Sequence, residues 1–280
     1  MNDGQSVAMV TGASSGFGLL TSIALAKKGY RVIATMRDTG KSGRLLELAE
    51  EAGVRSAIDV VQVDVTLHET VEAAISYTID RYGRIDVLIN NAGFATGGYV
   101  EDVSMEAWRA QLETNVFGVI SATKAVLPHM RRQGSGCIVN VSSVSGLSAY
   151  PGYAPYSTSK FAVEGFSESL RLEMKPYGVR VVLVEPGAYR TEIWRKGFDA
   201  IHTSDASPYG NTFNKILRYS KQAASSAPDP QEVADKIARI VVTASPKLRY
   251  PLGRGVRLGV WGRSALPWTW YEAILLRLLR

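Results

Sequence analysis

The stretch Thr11-Gly12-Ala13-Ser14-Ser15-Gly16-Phe17-Gly18 limits what this chain can fold into more than any other. The apolar run Val7-Ala8-Met9-Val10 leads into it, and residues 19–28 that follow read as a helix, which Gly29 ends. A strand that turns on glycines straight into a helix is the opening of a dinucleotide-binding βαβ unit. Glycine lets the backbone lie close to a pyrophosphate. The helix N-terminus adds unbonded N–H groups and a positive dipole. The glycine spacing is G-x-x-x-G-x-G rather than G-x-G-x-x-G. Gly12, Ser14, Ser15, Gly16, Phe17 and Gly18 are the candidate cofactor contacts here.

The strand–helix alternation continues. Residues 31–36, 58–63, 85–89, 137–143, 179–184 and 248–251 read as strands of the buried type. Residues 45–52, 71–82, 105–132, 156–175 and 230–244 read as helices. Ser104 looks like the N-cap of the long helix. Asp229-Pro230-Gln231-Glu232 starts the last of these with acceptor, proline and glutamate at N-cap, N1 and N3. Such repeats predict an α/β, doubly wound parallel sheet covered by helices on both faces. The second strand ends at Met36, and its far end faces the adenosine ribose in folds of this kind. An NAD site places Asp or Glu there. This chain has Arg37, whose guanidinium can grip a 2′-phosphate through charge-assisted bonds worth about 1.5–3 kcal/mol. Asp38 follows and blunts the effect. The pattern predicts NADP(H) over NAD(H).

Chemistry concentrates at Tyr156-Ser-Thr-Ser-Lys160. In a helix, positions i and i+4 share a face one turn apart. A phenol titrates near 10. A fixed ammonium about 4–5 Å away is worth roughly 3–4 kcal/mol at an effective dielectric of 20, enough to draw the phenol toward neutrality for acid–base work. Ser142-Ser143 closes the strand at 137–143, at the sheet end where ligands bind. Asn115 sits inside the predicted long helix, where asparagine is mildly unfavourable.

Taken together, these residues resemble those of the short-chain dehydrogenase/reductase family, single-domain type. The motifs are T-G-x-x-x-G-x-G at 11–18, Asp64-Val65, Asn90-Asn91-Ala92-Gly93, Asn115, Ser143, Y-x-x-x-K at 156–160 and Pro186-Gly187, in order and spacing. The match covers residues 5–195 well and thins beyond. The resemblance implies a Rossmann sheet in order 3-2-1-4-5-6-7. It implies that Ser143 and Tyr156 bond the substrate oxygen, and that Lys160 lowers the Tyr156 pKa and holds the nicotinamide ribose. Asn115 would position a water linking Lys160 to solvent. Asp64 and Val65 would line the adenine. Asn90, with Ala92 and Gly93, would lie along the cofactor, and Pro186, Gly187, Ala188 and Thr191 would cradle the nicotinamide end. Ser14-Ser15 and the run 34–38 look like the hydroxysteroid and retinol dehydrogenase branch. The implied activity is interconversion of a carbonyl and an alcohol. A non-catalytic redox sensor or scaffold, or a reductase of a carrier-tethered acyl chain, are the rival readings.

The 280 residues are read as one Rossmann-type domain, 1–280. Residues 188–228 would form a substrate lid whose Trp194, Phe198, Ile201, Tyr209, Phe213, Ile216, Leu217 and Tyr219 suit an apolar substrate. Residues 252–280 form a basic, Trp-rich extension. Seven of the chain's Arg and Lys residues fall in 246–280 against Glu272 alone, so the net charge of +6 belongs to the tail. A helix over 267–280 is expected there. Three placements compete: packing on the subunit or across an oligomer interface, roofing the substrate pocket, or resting on an anionic membrane surface. No apolar run is long enough to span a bilayer, the first six residues are polar, and the single Cys137 has apolar neighbours. A cytoplasmic protein is expected, a homodimer or homotetramer acting on a small molecule, with no metal and no nucleic-acid partner.

Overall fold

The computed structural model describes residues 4–199, 201–203 and 207–278. Its frame is a seven-stranded, all-parallel sheet. In chain order the strands are β1 (Val7–Val10), β2 (Arg31–Met36), β3 (Ile58–Gln62), β4 (Val87–Asn90), β5 (Gly97–Gly98), β6 (Gly136–Val141), β7 (Val179–Pro186), β8 (Ile201–His202) and β9 (Arg249–Leu252). The large sheet runs β3-β2-β1-β4-β6-β7-β9, and β5 and β8 form a separate two-stranded pair. Without that pair the order is the expected 3-2-1-4-5-6-7. The chain reverses direction across the sheet between β1 and β4, which opens a crevice at the strands' C-terminal ends.

Period-two alternation sorts the strand side chains onto two layers. Ala8, Val10, Val32, Ala34 and Met36 face one side, against α1 (Gly16–Lys27), α2 (Gly43–Glu51) and α9 (Gln231–Val241). Val7, Met9 and Ile33 face the other, against α3 (His68–Tyr82), α5 (Gly118–Gln133) and α6 (Ala154–Met174). Each fully buried Val, Leu or Ile contributes about 1.5–3 kcal/mol, and nearly all residues of the central strands are buried.

Two elements differ from expectation. The helix expected over 105–132 is broken into α4 (Met105–Leu112), a π turn (Glu113–Phe117) and α5. An extra residue in the ladder leaves hydrophobic spacing almost unchanged, so periodicity does not reveal it. The tail holds two helices, α10 (Val256–Ala265) and α11 (Trp268–Leu278), where one was expected. Leu279 and Arg280 lie outside the described residues, as does the Leu278 side chain. Pro230 stands at the N-cap of α9, one residue later than read, but the Asp229 carboxylate still accepts from the Gln231 N–H at 2.8 Å. Between β7 and α9 lie α7 (Glu192–Asp199) and α8 (Gly210–Ser225).

Candidate active site

The glycine turn is tied to the end of β4 by side chains. The buried Thr11 hydroxyl accepts from the N–H groups of Asn91 and Ala92 at 3.0 and 3.1 Å. The Asn91 amide donates back to the carbonyls of Thr11 and Gly12 at 2.9 and 3.0 Å. Gly12 has φ +68°, and a Cβ there would lie 2.8 Å from the Ala92 Cα. A Cβ on Gly18 would lie 2.3 Å from the Gly12 carbonyl oxygen. Ser15 is extended and its side chain caps nothing, and the first turn of α1 carries no acid. The leading N–H groups of α1 therefore remain free of side-chain acceptors, the arrangement that suits a pyrophosphate. Gly16 lies across from Thr191, to which a Cβ would come within 3.6 Å, and Phe17 stacks edge-on against Tyr189 at 5.7 Å.

On the adenosine side, Arg37 is exposed. The neighbouring Asp38 carboxylate is engaged with Lys41 at 3.4 Å and with the Gly40 N–H at 3.0 Å. Among the described residues no ion pair occupies the Arg37 guanidinium. Asp64 accepts from the N–H and hydroxyl of Thr66 at 3.0 and 2.7 Å. Val65 packs where Gly118 leaves room, since a Cβ on Gly118 would lie 2.7 Å from it. Asn90 turns its side chain into the sheet. Its side chain is buried and donates to Thr123 at 3.1 Å and to Asn140 at 2.8 Å, and Asn140 continues to Ser167 at 2.8 Å. The strand's alternation turns Asn90 inward, so the residue that reaches the turn is its neighbour Asn91. The Asn-Asn doublet was the available signal.

At the strand ends, Ser143 accepts from the Ser145 N–H at 3.1 Å and donates to the Pro186 carbonyl at 3.4 Å. Tyr156 and Lys160 stand one turn apart on α6, and the Lys160 amine lies 5.6 Å from the centre of the Tyr156 ring. The amine donates to the Val141 carbonyl at 2.9 Å. Burial pushes the Lys160 amine down to about 8, against the opposing pull of Glu164. Burial also pushes the Tyr156 phenol up, with Ser143 lowering it in part. The phenol is thus raised and not lowered as expected: the amine lies over the ring, and burial is the larger influence on the hydroxyl. Asn115, at the centre of the π turn, is buried. Its amide accepts from the Phe94 N–H at 3.1 Å, and donates to the Phe94 carbonyl at 2.9 Å and to the Ser159 hydroxyl at 3.1 Å. It thus fastens the loop after β4 to α6. Gly93 leaves it room.

Ser143 and Tyr156 open into a cavity of about 390 Å³. Pro186, Gly187, Ala188 and Thr191 form its floor beside Phe17. Trp194, Phe198, Ile216 and Tyr219 line it from α7 and α8. Arg254, Val256, Val260 and Tyr271 line it from the tail. The Gly187 N–H donates to the Leu252 carbonyl at 2.9 Å, and a Cβ on Gly187 would lie 2.8 Å from Val256. The buried hydroxyls of Ser148 and Tyr271 hydrogen-bond each other. The tail thus packs on the subunit and lines one side of the cavity. Tyr189 and Ser148 were not singled out in the sequence, and Tyr271 stood out only as an apolar position of the tail helix. Nothing local marks them, since they are joined only by the fold. Among the described residues no cluster of His, Cys, Asp or Glu is arranged to hold a metal ion.

A doubly wound sheet with a glycine turn at its crevice, and with serine, tyrosine and lysine at the neighbouring strand ends, defines a dinucleotide-linked oxidoreductase. The chain matches the short chain dehydrogenase family over residues 6–201 and belongs to it. It is 46% identical over 272 residues to the uncharacterized oxidoreductase YusZ of Bacillus subtilis, covering 96% of each chain. It is 36% identical to the 3-ketodihydrosphingosine reductase of Bacteroides thetaiotaomicron, over 88% of this chain and 87% of that one. The structure superposes with TM-score 0.81 and 33% identity on a short-chain dehydrogenase from Streptomyces avermitilis, covering 99% and 96% of the two chains. Solved structures that it resembles hold NAD in one case and NADP in others.

Proposed function

We propose that this protein is an NADP(H)-dependent oxidoreductase that interconverts a ketone or aldehyde and an alcohol on a small to medium, mostly apolar molecule. The observation that carries the reading is the convergence of Ser143 and Tyr156 on one apolar-walled cavity beside the glycine turn. The free N–H groups of α1 and the close-packed Gly12 and Gly18 fit a dinucleotide, and the unpaired Arg37 fits a 2′-phosphate. When bound, the nicotinamide supplies or accepts the hydride. Ser143 steadies the developing oxyanion, and Tyr156 gives its proton to the substrate oxygen in reduction. Lys160 then returns a proton toward Tyr156, and Asn115 holds the Phe94 loop and α6 in register for that step. Reduction is the favoured direction with NADPH. The sphingoid ketone named for one relative agrees with an apolar substrate.

Residues 188–228 act as the lid, and the whole chain serves as one domain in the cytoplasm. Self-association through the helices that carry Asn115 and Tyr156 is part of the reading: Phe117 is exposed on the π turn, and Phe161 and Leu172 on α6. The test is NADPH consumption on a panel of aliphatic and cyclic ketones and aldehydes, with cofactor binding followed in parallel. Turnover is expected, with a loss of about 10²–10⁴-fold in Tyr156→Phe and cofactor affinity retained. Equal affinity for NADH and NADPH would refute the cofactor choice. Cofactor binding with no turnover on any carbonyl would instead mark a redox sensor.

A further inference from the structure

The two tail helices carry large apolar side chains that the fold leaves exposed. Leu258 and Trp261 lie three residues apart on α10 and are 71% and 67% exposed. Trp270 and Ile274 lie four apart on α11 and are 66% and 48% exposed. Residues at those spacings share a helix face. None of the four lines the cavity, which takes other positions of the same helices. The side chains around this face are basic. Arg254, Arg257 and Arg277 are exposed, and Arg263 stacks over Trp268 at 4.7 Å, while Glu272 is the one acid between residues 252 and 278. Among the described residues no helix is long and apolar enough to cross a membrane.

Short helices that carry tryptophan and leucine on one side and arginine at the margin lie in the plane of a lipid interface. Arginine pairs with lipid phosphates, and tryptophan settles at the headgroup level. A second copy of this face complements it less well, because a symmetric contact brings arginine toward arginine. We propose that α10 and α11 dock this protein on an anionic lipid surface. Because the same helices roof the cavity, docking sets the roof against the acyl layer, from which an apolar substrate can enter without crossing water. The docking itself stands whether or not the oxidoreductase reading holds.

The test uses the full-length protein and vesicles of either phosphatidylcholine alone or phosphatidylcholine with phosphatidylglycerol. Co-sedimentation with the anionic vesicles is expected to be about tenfold stronger, and to weaken several-fold near ~0.5 M salt. Tryptophan emission should shift to the blue on binding. The triple variant Leu258→Ser, Trp261→Ser, Trp270→Ser is expected to lose about tenfold in partition, with an unchanged melting temperature as the control on folding. Equal partition to both vesicle types overturns the proposal. So does binding that survives in the triple variant, or no binding to anionic vesicles at low salt. A lipid-free dimer that depends on the same three residues, seen by sedimentation velocity, assigns the face to a second copy and overturns it too.

Discussion

Burial sets the protonation of the residues around Tyr156 more than charge does. Burial holds the phenol up in its protonated form, with the Ser143 hydroxyl opposing it. Beneath Lys160, Arg249 reaches two buried carboxylates, Glu164 at 2.8 Å and Glu185 at 3.1 Å, and the more exposed Glu168 at 2.9 Å. One guanidinium does not balance both buried acids. Burial and the neighbouring Glu164 push Glu185 up to about 8. The folded protein thus keeps a proton on Glu185 that the unfolded chain releases above its ordinary value of 4.5. Stability from this group is complete at acid pH and is lost as pH rises through about 8. Glu185→Gln, which stays neutral, is expected to flatten the fall in melting temperature between about pH 5 and 8. If variant and native protein decline in parallel over that range, Glu185 is ionised in the fold and this account is wrong. The side chain is fully buried, so the comparison reports on its own titration and not on solvent screening.

At the scale of elements, the turn between β1 and α1 works because Gly18 lets the helix start directly over Gly12. An added methyl would meet the Gly12 carbonyl and the Asn91 amide at 2.3 and 2.4 Å. The first is backbone and the second is fixed by two hydrogen bonds, so neither yields cheaply. Gly18→Ala should cost about 1–3 kcal/mol in a denaturant titration and weaken cofactor binding in parallel. Unchanged midpoint and affinity would show that the turn has slack that the distances deny. This turn was legible in the sequence because its parts are neighbours in the chain and each glycine has a local reason. The same holds for Tyr156 and Lys160, one helical turn apart, and for the buried strands. The π turn at Asn115 was not legible. Its cause is a pair of hydrogen bonds to Phe94, some twenty residues away, and its cost to the hydrophobic period is one residue. The Asn90-Asn91 pair was half legible for a related reason: the motif names the doublet, but only the strand's register decides which asparagine side chain faces inward.

For the whole molecule, the cavity is assembled from segments that the sequence keeps far apart: the loop carrying Ser148, the α7–α8 segment, and the tail. The sequence offered the tail as interface, roof or membrane anchor because its composition suits all three. Only the position of β9 at the sheet edge beside β7 brings α10 over Gly187. A hydrogen bond between Tyr271 and Ser148, both buried, joins the tail to the loop carrying Ser148. Tyr271→Phe keeps the ring's packing and removes this link. An ordinary hydrogen bond contributes about 0.5–1.5 kcal/mol, and the Ser148 hydroxyl keeps its interaction with Tyr150, so the loss should be small and local. Amides of residues 256–278 should then exchange about two- to tenfold faster, while those of β1, β4 and β6 keep their rates. The KM of a bulky substrate should rise about threefold with kcat little changed, because the substituted side chain forms cavity wall and does not reach the proton-transferring groups. Faster exchange throughout the sheet would make the contact a support of the whole fold. No change in the tail would mean that the roof is held by packing alone, with Val256 against Gly187 as its anchor.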